Sequence, residues 1–273
     1  AIQKAKVRIL FQLGTQAFTN ADFQKAIDYF GQSFQYAALF GQQGQREQGK
    51  AAYWRGESYY RLGQLQQAAD DFNRYLNYNP DTSNEMYALA HYNLGYIAFH
   101  RKNYTGAESY FNRYIQLEKG QNPAADAYNR LGDCCLHARR FDEATRYYTR
   151  AENMGTASGD YSYYQLALVA GLQKDYNGKI TLLDRLAQKY PNSPYAINGL
   201  YEKGRSYVQN NQSTQAIATF RELLSKYPES PIARKAAAEI GLLYYQNEDY
   251  NRAIEAYKHV ITQYPGSEEA RLA

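Results

Sequence analysis

Residues 190–196 read Tyr-Pro-Asn-Ser-Pro-Tyr-Ala, and near copies follow at 227–233 (Tyr-Pro-Glu-Ser-Pro-Ile-Ala) and at 264–270 (Tyr-Pro-Gly-Ser-Glu-Glu-Ala). Three copies at a spacing of 37 residues indicate a structural repeat. The first proline of each copy ends a helix, because the residue that precedes a proline disfavours helical geometry. The serine can cap the next helix, and Pro194 and Pro231 occupy first helical positions, where no backbone donor is lost. Each copy therefore predicts a junction between two helices.

The repeat extends over the whole chain through a small residue that recurs every 35 to 42 residues. In most repeats an aromatic or apolar residue follows nine positions later, an alanine twelve later and a large apolar residue sixteen later. Apolar residues three and four apart mark amphipathic helices, and a short polar break separates two such helices within each repeat. The pattern predicts a helix hairpin whose small residue permits close approach of its two helices, with the last large residue filling the space before the next hairpin. The small residues are Gly14, Gly56, Gly95, Gly132, Ala167, Gly204 and Gly241.

This order of small residue, aromatic, alanine, aromatic and terminal proline resembles the tetratricopeptide repeat family over essentially the whole chain. The resemblance implies an all-α fold, a right-handed superhelical solenoid of about seven helix-turn-helix hairpins in one domain, residues 1–273. The Tyr-Pro-x-Ser linkers are similar to those of bacterial envelope proteins of the BamD-like and YbgF-like type. The expected units lie near 7–40, 49–80, 88–120, 125–155, 160–191, 197–228 and 234–265, and residues 266–273 are expected to begin a further helix of a longer parent protein.

Some positions depart from the pattern. Lys179 takes the alanine position of the fifth hairpin and Leu183 its aromatic position, while Ser213 replaces the first aromatic of the sixth. We expect looser packing and a bend at the fifth hairpin. The first spacing of 42 residues contains Gly-Gln-Gln-Gly at 41–44 and predicts longer helices or an extra loop.

The composition argues against nucleic-acid binding and against a membrane-spanning segment. The 31 Lys and Arg against 27 Asp and Glu give a net charge of +4, and these charges are interspersed. Nucleic-acid binding is therefore not expected, because it usually requires a concentrated basic stripe. No apolar run approaches the roughly 20 residues that span a bilayer, so no transmembrane segment is expected. The 30 tyrosines, against 11 phenylalanines, indicate either a habit of core filling or an aromatic binding surface.

Catalytic and metal-binding signals are weak. His100 and His137 are 37 residues apart, at equivalent places in neighbouring hairpins, and Cys135 is near in sequence. No Cys-x-x-Cys or His-x-x-x-His spacing supports a metal site, so we interpret these histidines as solvated side chains and Cys134 and Cys135 as small apolar residues. No Gly-rich phosphate loop and no nucleophile motif occurs. We expect no enzymatic activity, metal or cofactor.

The family resemblance implies that the first helices of successive hairpins line a concave groove. Aromatic residues on such a wall are typical anchors of a binding surface, although each tyrosine could instead pack against its own hairpin. The residues carried over to the groove are Tyr53, Glu57, Tyr60, Tyr92, Tyr96, Phe99, Asn129, Asp133, Tyr161, Tyr164, Tyr201 and Arg205.

Some members of the family grip a C-terminal carboxylate with Lys, Asn and Arg at fixed positions. Asn93 and Arg130 occupy two such positions here, but Tyr53 and Glu57 stand where the clamp requires lysine and asparagine. Because Glu57 would repel a carboxylate, we favour an extended peptide or protein edge held by aromatic and amide contacts.

The resemblance therefore implies a non-enzymatic protein-interaction scaffold that binds a protein or peptide partner, within a bacterial envelope assembly. The alternative is glycan or peptidoglycan binding, because tyrosine rings stack on sugars. The periplasm or an outer-membrane association is favoured by the resemblance, and the cytoplasm is left open. The sequence assigns neither the ligand nor the oligomeric state.

Overall fold

The computed structural model of the chain describes residues 1–118 and 124–273, and the regular structure of these residues is helical throughout. Consecutive helices pair as antiparallel hairpins, which confirms the predicted all-α repeat. The predicted end of the third helix hairpin, at residue 120, lies outside the described residues. The helices are α1 (Ile2–Thr19), α2 (Phe23–Ala38), α3 (Gln45–Arg61), α4 (Leu65–Tyr78), α5 (Glu85–His100), α6 (Tyr104–Glu118), α7 (Ala125–His137), α8 (Phe141–Asn153), α9 (Gly159–Leu172), α10 (Tyr176–Lys189), α11 (Pro194–Gln209), α12 (Ser213–Lys226), α13 (Pro231–Gln246), α14 (Tyr250–Gln263) and α15 (Glu268–Leu272).

The chain divides into two compact units, Ala1–Cys134 and Cys135–Ala273, and the division falls within α7. We call them unit 1 and unit 2. Unit 1 holds the hairpins α1–α2, α3–α4 and α5–α6, and unit 2 holds α9–α10, α11–α12 and α13–α14. The long first spacing, from Gly14 to Gly56, is taken up in unit 1 by the 16-residue α2 and by a 3₁₀ helix at Gly41–Gly44, as predicted. The single domain 1–273 and the bounds of its seven helix hairpins, as given from the sequence, stay predictions.

The recurring glycine is where the two helices of a hairpin meet. A Cβ atom added at Gly95 would lie 2.9 Å from the ring of Phe111, and one at Gly204 would lie 2.4 Å from the ring of Phe220. Both rings are fully buried. The large residue sixteen positions on therefore covers the glycine of its own hairpin, whereas the sequence pattern predicts only that it fills the space before the next hairpin. Close packing of this kind leaves no room for even one methyl group.

The turn inside each hairpin has one geometry. In the fifth hairpin Lys174 is left-handed, with φ +62°, and the backbone N–H of Asp175 donates to the carbonyl of Ala170 at 2.9 Å. This pattern is a Schellman motif, which closes the end of a helix. The carboxylate of Asp175 then caps α10 by accepting from the backbone N–H of Gly178 at 2.9 Å. The left-handed residues of the successive hairpins are Ala21, Gly63, Lys102, Arg139, Lys174, Asn211 and Glu248.

The Tyr-Pro-x-Ser junctions behave as predicted. The hydroxyl of Ser193 accepts from the backbone N–H two residues later at 3.1 Å, and Ser230 and Ser267 cap α13 and α15 through their own hydroxyls. Pro194 and Pro231 are the first residues of α11 and α13. These caps satisfy backbone donors that the start of a helix leaves without partners.

The predicted loosening of the fifth hairpin is wrong. Leu183 is 3% exposed and lies in an apolar cluster with Ala167. Lys179 is only 5% exposed, and its Nζ donates to the carboxylate of Glu202 on α11 at 2.8 Å. A Cβ atom at Gly171 would lie 2.9 Å from Cδ of Lys179. The missing side chain at position 171 therefore makes the space in which the lysine stem packs.

Candidate partner-binding surface

A hydrogen bond from Asn93 to the predicted groove residue Glu57 joins the first helices α3 and α5 of unit 1. Glu57 on α3 accepts from the hydroxyl of Tyr53 at 3.1 Å and from the side-chain amide of Asn93 on α5 at 2.6 Å. Tyr53 is 3% exposed, so it lies in the core beneath the surface. Burial, with Glu57 beside it, raises the pKa of Tyr53 well above its ordinary value. The hydroxyl therefore stays protonated and serves as a fixed donor to the carboxylate.

A second carboxylate joins α5 to α7. The hydroxyl of Tyr92 donates to Oδ2 of Asp126 at 2.5 Å, and the hydroxyl of Tyr96 donates to the same oxygen. The two rings meet edge to face, with centroids 5.1 Å apart. Burial and the hydrogen bonds to Asp126 raise the pKa of both tyrosines. Asp126 thus accepts two hydrogen bonds from groups that carry no charge.

Further along the same helices an aromatic ring supports a cation. The guanidinium of Arg130 lies over the ring of Phe99, 5.4 Å from its centroid, and pairs with the carboxylate of Asp133 at 2.9 Å. Asp133 is 6% exposed and Asn129 is 1% exposed, so these two predicted groove residues are buried. Tyr60 on α3 is partly exposed, and its ring lies 6.3 Å from that of His100.

We call this surface of α3, α5 and the start of α7 the unit 1 face. Its members are Tyr53, Glu57, Tyr60, Tyr92, Asn93, Tyr96, Phe99, Asp126 and Arg130. Among the described residues of unit 1, the donors within hydrogen-bond distance of Glu57 and Asp126 are uncharged. Within the described part of unit 1, no lysine or arginine forms an ion pair with Glu57 or Asp126, and Arg130 pairs instead with Asp133, so the face presents two carboxylates without a cationic partner.

The first helices of unit 2 bring together a different set of side chains. Tyr161 and Tyr164 on α9 each lie 5.4 Å, ring to ring, from Tyr195 on α11. Burial, with Glu202 nearby, raises the pKa of Tyr164. Tyr201 on α11 packs against Phe220 at 5.7 Å. These rings are partly exposed, so they cover the core and also border solvent.

The carboxylates of unit 2 meet cations. Glu202 accepts from the buried Lys179 at 2.8 Å and lies 3.6 Å from the half-exposed Arg205. Glu239 on α13 is partly buried, and burial raises the pKa of its carboxyl, an effect that Arg205 opposes. We call this surface of α9, α11 and α13 the unit 2 face, with members Tyr161, Tyr164, Tyr195, Tyr201, Glu202, Arg205 and Glu239.

Two functional residues carried a signal in the sequence and were not predicted: Asp126, a member of the unit 1 face, and Lys179, which pairs with Glu202 of the unit 2 face. Asp126 lies six positions before the small residue of its hairpin, the same register that singled out Tyr161. In the sequence, Lys179 is distinguished only by its departure from the alanine pattern. Its partner Glu202 lies on the next hairpin, 23 residues away, and no local pattern connects the two.

Models of the tetratricopeptide repeat match residues 49–82, 86–157, 161–193 and 201–268. The chain belongs to the tetratricopeptide repeat family. This confirms the resemblance drawn from the repeat pattern, and repeats of this family form scaffolds for protein–protein interaction. Comparison with curated proteins found no match. Among the described residues, none of the helices has both the length and the apolar character needed to cross a bilayer.

Solved structures of other tetratricopeptide repeat proteins are similar in fold. The C-terminal part of a repeat-containing protein from Cytophaga hutchinsonii is 17% identical, with a TM-score of 0.76 over 96% of this chain and 98% of that chain. PilW, a type IV pilus biogenesis factor, is 18% identical, with a TM-score of 0.58 over 82% and 97%. YrrB, described as having an unusual peptide-binding site, is 17% identical, with a TM-score of 0.54 over 75% and 97%. At these identities the similarity concerns the fold.

Proposed function

We propose that this chain is a non-enzymatic scaffold whose unit 1 face binds an extended peptide segment of a protein partner. The observation that carries the proposal is the pair of carboxylates, Glu57 and Asp126, held by tyrosine and asparagine donors beside partly exposed aromatic rings. This arrangement is fixed before any partner arrives, and a preformed surface loses less conformational entropy on binding.

The negative charge of the unit 1 face predicts a basic side chain in the partner. A carboxylate offers about four lone-pair sites, and the hydrogen bonds to Glu57 come from Tyr53 and Asn93, which add no positive charge. The hydrogen bonds to Asp126 come from the hydroxyls of Tyr92 and Tyr96, which also add no positive charge. A lysine or arginine of the partner would donate a charge-assisted hydrogen bond to each carboxylate. Such a bond is roughly twice as strong as a neutral one.

The rings of the unit 1 face supply the contact area. Tyr60, Tyr92, Tyr96 and Phe99 are partly exposed on adjacent first helices. Aromatic side chains give large contact areas with few rotatable bonds, and a cation placed over such a ring gains a further attraction. The preferred partner segment therefore combines a basic residue with an apolar or aromatic residue.

An envelope location is part of the proposal and is supported by the Tyr-Pro-x-Ser linkers at 190–193, 227–230 and 264–267. Fractionation of cells that express the native gene checks it. Recovery of the protein with the periplasm or the outer membrane is expected, and exclusive recovery with the cytoplasm would remove this part of the proposal while leaving the binding surface untouched.

Selection from a random peptide library on the full chain tests the binding surface. We expect enriched peptides to contain lysine or arginine next to an aromatic residue. Replacing Tyr92 and Tyr96 together by Ala should weaken the selected peptide by about tenfold or more, measured by fluorescence anisotropy. Tyr164→Ala, on the unit 2 face, should have little effect.

Tyr250→Ala is the matched control, because Tyr250 is 54% exposed on α14, a helix that contributes to neither face. Equal affinities for the double variant and this control would contradict the proposal. Saturable binding of peptidoglycan fragments that displaces the peptide would instead favour the glycan alternative.

A further inference from the structure

A cavity of about 280 Å³ opens between the second helices α12 and α14 of unit 2. Its floor is apolar and includes Leu224 and Ile240, whereas its rim carries Arg221, Arg252 and Glu255. Small-molecule sites generally begin near 300 Å³, so this cavity suits a group about the size of one amino-acid residue. It lies on the second-helix side of the hairpins, apart from the unit 2 face.

Two arginines are held in place at the cavity by Tyr244. Nη2 of Arg221 donates to the hydroxyl of Tyr244 at 2.5 Å, and this tyrosine is 8% exposed. The guanidinium groups of Arg221 and Arg252 lie 5.7 Å and 5.9 Å from the centroid of its ring. Stacking on a ring orients a guanidinium and leaves its edge donors available.

Among the described residues, no carboxylate forms an ion pair with Arg221. Within the described part of the chain, no carboxylate lies within 4 Å of its guanidinium, whereas Arg252 lies 3.5 Å from Asp249 at the exposed rim. Glu255 lines the cavity but makes no ion pair with either arginine. Arg221 therefore keeps most of its five N–H donors available for an anion.

A cavity between α2 and α3 of unit 1 shares part of this register and provides an internal comparison. It is lined by Gly31 and Tyr59, which occupy the positions of Arg221 and Tyr244 in the repeat, and by Arg55. There the guanidinium of Arg55 makes two hydrogen bonds of 2.7 Å to Asp71, a carboxylate with no exposed surface. The cation of the unit 1 cavity, which takes the repeat position of Ile240, is thus neutralised by a buried carboxylate, whereas Arg221 in the cavity of unit 2 forms no ion pair with a described carboxylate.

We propose that the cavity of unit 2 binds a carboxylate attached to an apolar group, such as a C-terminal aliphatic residue of a partner chain. The apolar group packs on Leu224 and Ile240. The carboxylate accepts from Arg221, and from Arg252 when that side chain turns away from Asp249. Planar, paired donation of this kind is the usual way in which arginine recognises a carboxylate.

Titration of the isotope-labelled full chain by NMR tests this site. N-acetyl-leucine is the probe, N-acetyl-leucine amide is its neutral counterpart, and phenyl phosphate tests a phosphate source. We expect N-acetyl-leucine to shift the signals of Tyr244 and Arg221 with a Kd on the order of 1–10 mM, as suits so small a ligand. The amide should bind at least about fivefold more weakly.

Arg221→Gln should weaken N-acetyl-leucine by about tenfold, whereas Arg185→Gln, an exposed arginine on α10, should leave the affinity unchanged. Glu255→Gln removes a negative charge from the rim and should tighten binding about twofold, which keeps the test informative if the Arg221 variant unfolds. Equal binding of the acid and the amide would overturn the proposal. So would binding of phenyl phosphate alone, or shifts that persist unchanged in Arg221→Gln.

Discussion

Glu57 in unit 1 and Glu202 in unit 2 both lie on first helices and both reach toward a neighbouring helix, yet different groups hold their carboxylates. Glu57 accepts from the uncharged side chains of Tyr53 and Asn93, whereas Glu202 accepts from the buried ammonium of Lys179. Within each unit the first helices follow the same repeat register. Lys179, at the alanine position of the fifth hairpin, therefore gives Glu202 a cationic partner of a kind that Glu57 lacks.

The buried ion pair of unit 2 and the carboxylates of unit 1 have different expected roles, in stability and in binding. In unit 2 the ion pair is nearly out of contact with water, since the side chains of Lys179 and Glu202 are 6% and 15% exposed. It contributes to the packing of α10 against α11 and offers no free charge. In unit 1 the carboxylates accept only from uncharged donors, and under the proposed function they pair with a cation of the partner. We expect loss of the unit 2 pair to affect folding and loss of the unit 1 carboxylates to affect binding.

The largest effect is expected from Lys179→Met, which leaves Glu202 with only the more distant Arg205. Removing one member of a buried pair leaves an uncompensated charge, and we expect the free energy of unfolding to fall by about 2–4 kcal/mol. Guanidinium denaturation followed by circular dichroism measures it. The double variant Lys179→Met with Glu202→Gln should recover most of the loss.

Lys226→Met is the matched control, because Lys226 pairs with Glu222 at 2.7 Å while both side chains are largely exposed, 59% and 43%. Its loss should stay below about 0.5 kcal/mol. Losses of similar size at Lys179 and Lys226 would show that burial does not distinguish the two ion pairs.

A smaller, opposite response of the two units to acid is the next expectation. Both ring nitrogens of His91 in unit 1 are buried without a hydrogen-bond partner, and burial, with Arg113 nearby, lowers the pKa of His91 to about 4. Stability that depends on the neutral ring is complete above pH 6.5 and is lost as the pH falls from 6.5 to 4. Allowing for partial solvation, we expect a loss of about 1–2 kcal/mol in unit 1.

Glu239 should make unit 2 more stable, not less stable, as the pH falls. Burial raises the pKa of its carboxyl, so its charged form disfavours the folded unit and protonation relieves this cost as the pH falls toward 4.5. Hydrogen exchange of backbone amides, corrected for intrinsic rates, reports each unit separately. His91→Leu should remove the acid-dependent loss in unit 1, and persistence of that loss in the variant would assign it to another group.

The smallest effect concerns the left-handed turn residues. Unit 1 places Gly63 at one of these turns, while unit 2 places Lys174 and Glu248 at the same register. A residue with a Cβ atom is strained in this conformation, so Lys174→Gly or Glu248→Gly should raise the stability of unit 2 by about 0.5 kcal/mol, net of the added entropy of the unfolded chain.

Gly63→Ala should lower the stability of unit 1 by about 1 kcal/mol. Thermal unfolding of these three variants, with each unit followed by hydrogen exchange, checks the signs. A stabilised unit 1 in Gly63→Ala would contradict the assignment of strain to this register.

The fold was predictable because its causes are local and repeated. The register that joins Gly95 to Phe111 recurs in every hairpin, and the capping serine of each Tyr-Pro-x-Ser junction lies next to the helix that it starts. The pairing of Lys179 with Glu202 was not predictable, since it needs the space left by Gly171 and a partner 23 residues away. For the same reason, the sequence marked Tyr53 as an aromatic of the groove but could not tell that its ring is buried.

The unit 1 face is tested most directly by a charge exchange at Glu57. In Glu57→Lys the neighbours Tyr53 and Asn93 can both accept hydrogen bonds from the new ammonium, so the hairpin should remain folded. We predict that this variant binds the selected basic peptide at least about tenfold more weakly than the wild type, and that a peptide with glutamate in place of its basic residue recovers most of the affinity. Unchanged affinity for the basic peptide in Glu57→Lys, or failure of the glutamate peptide to recover binding, would contradict the account.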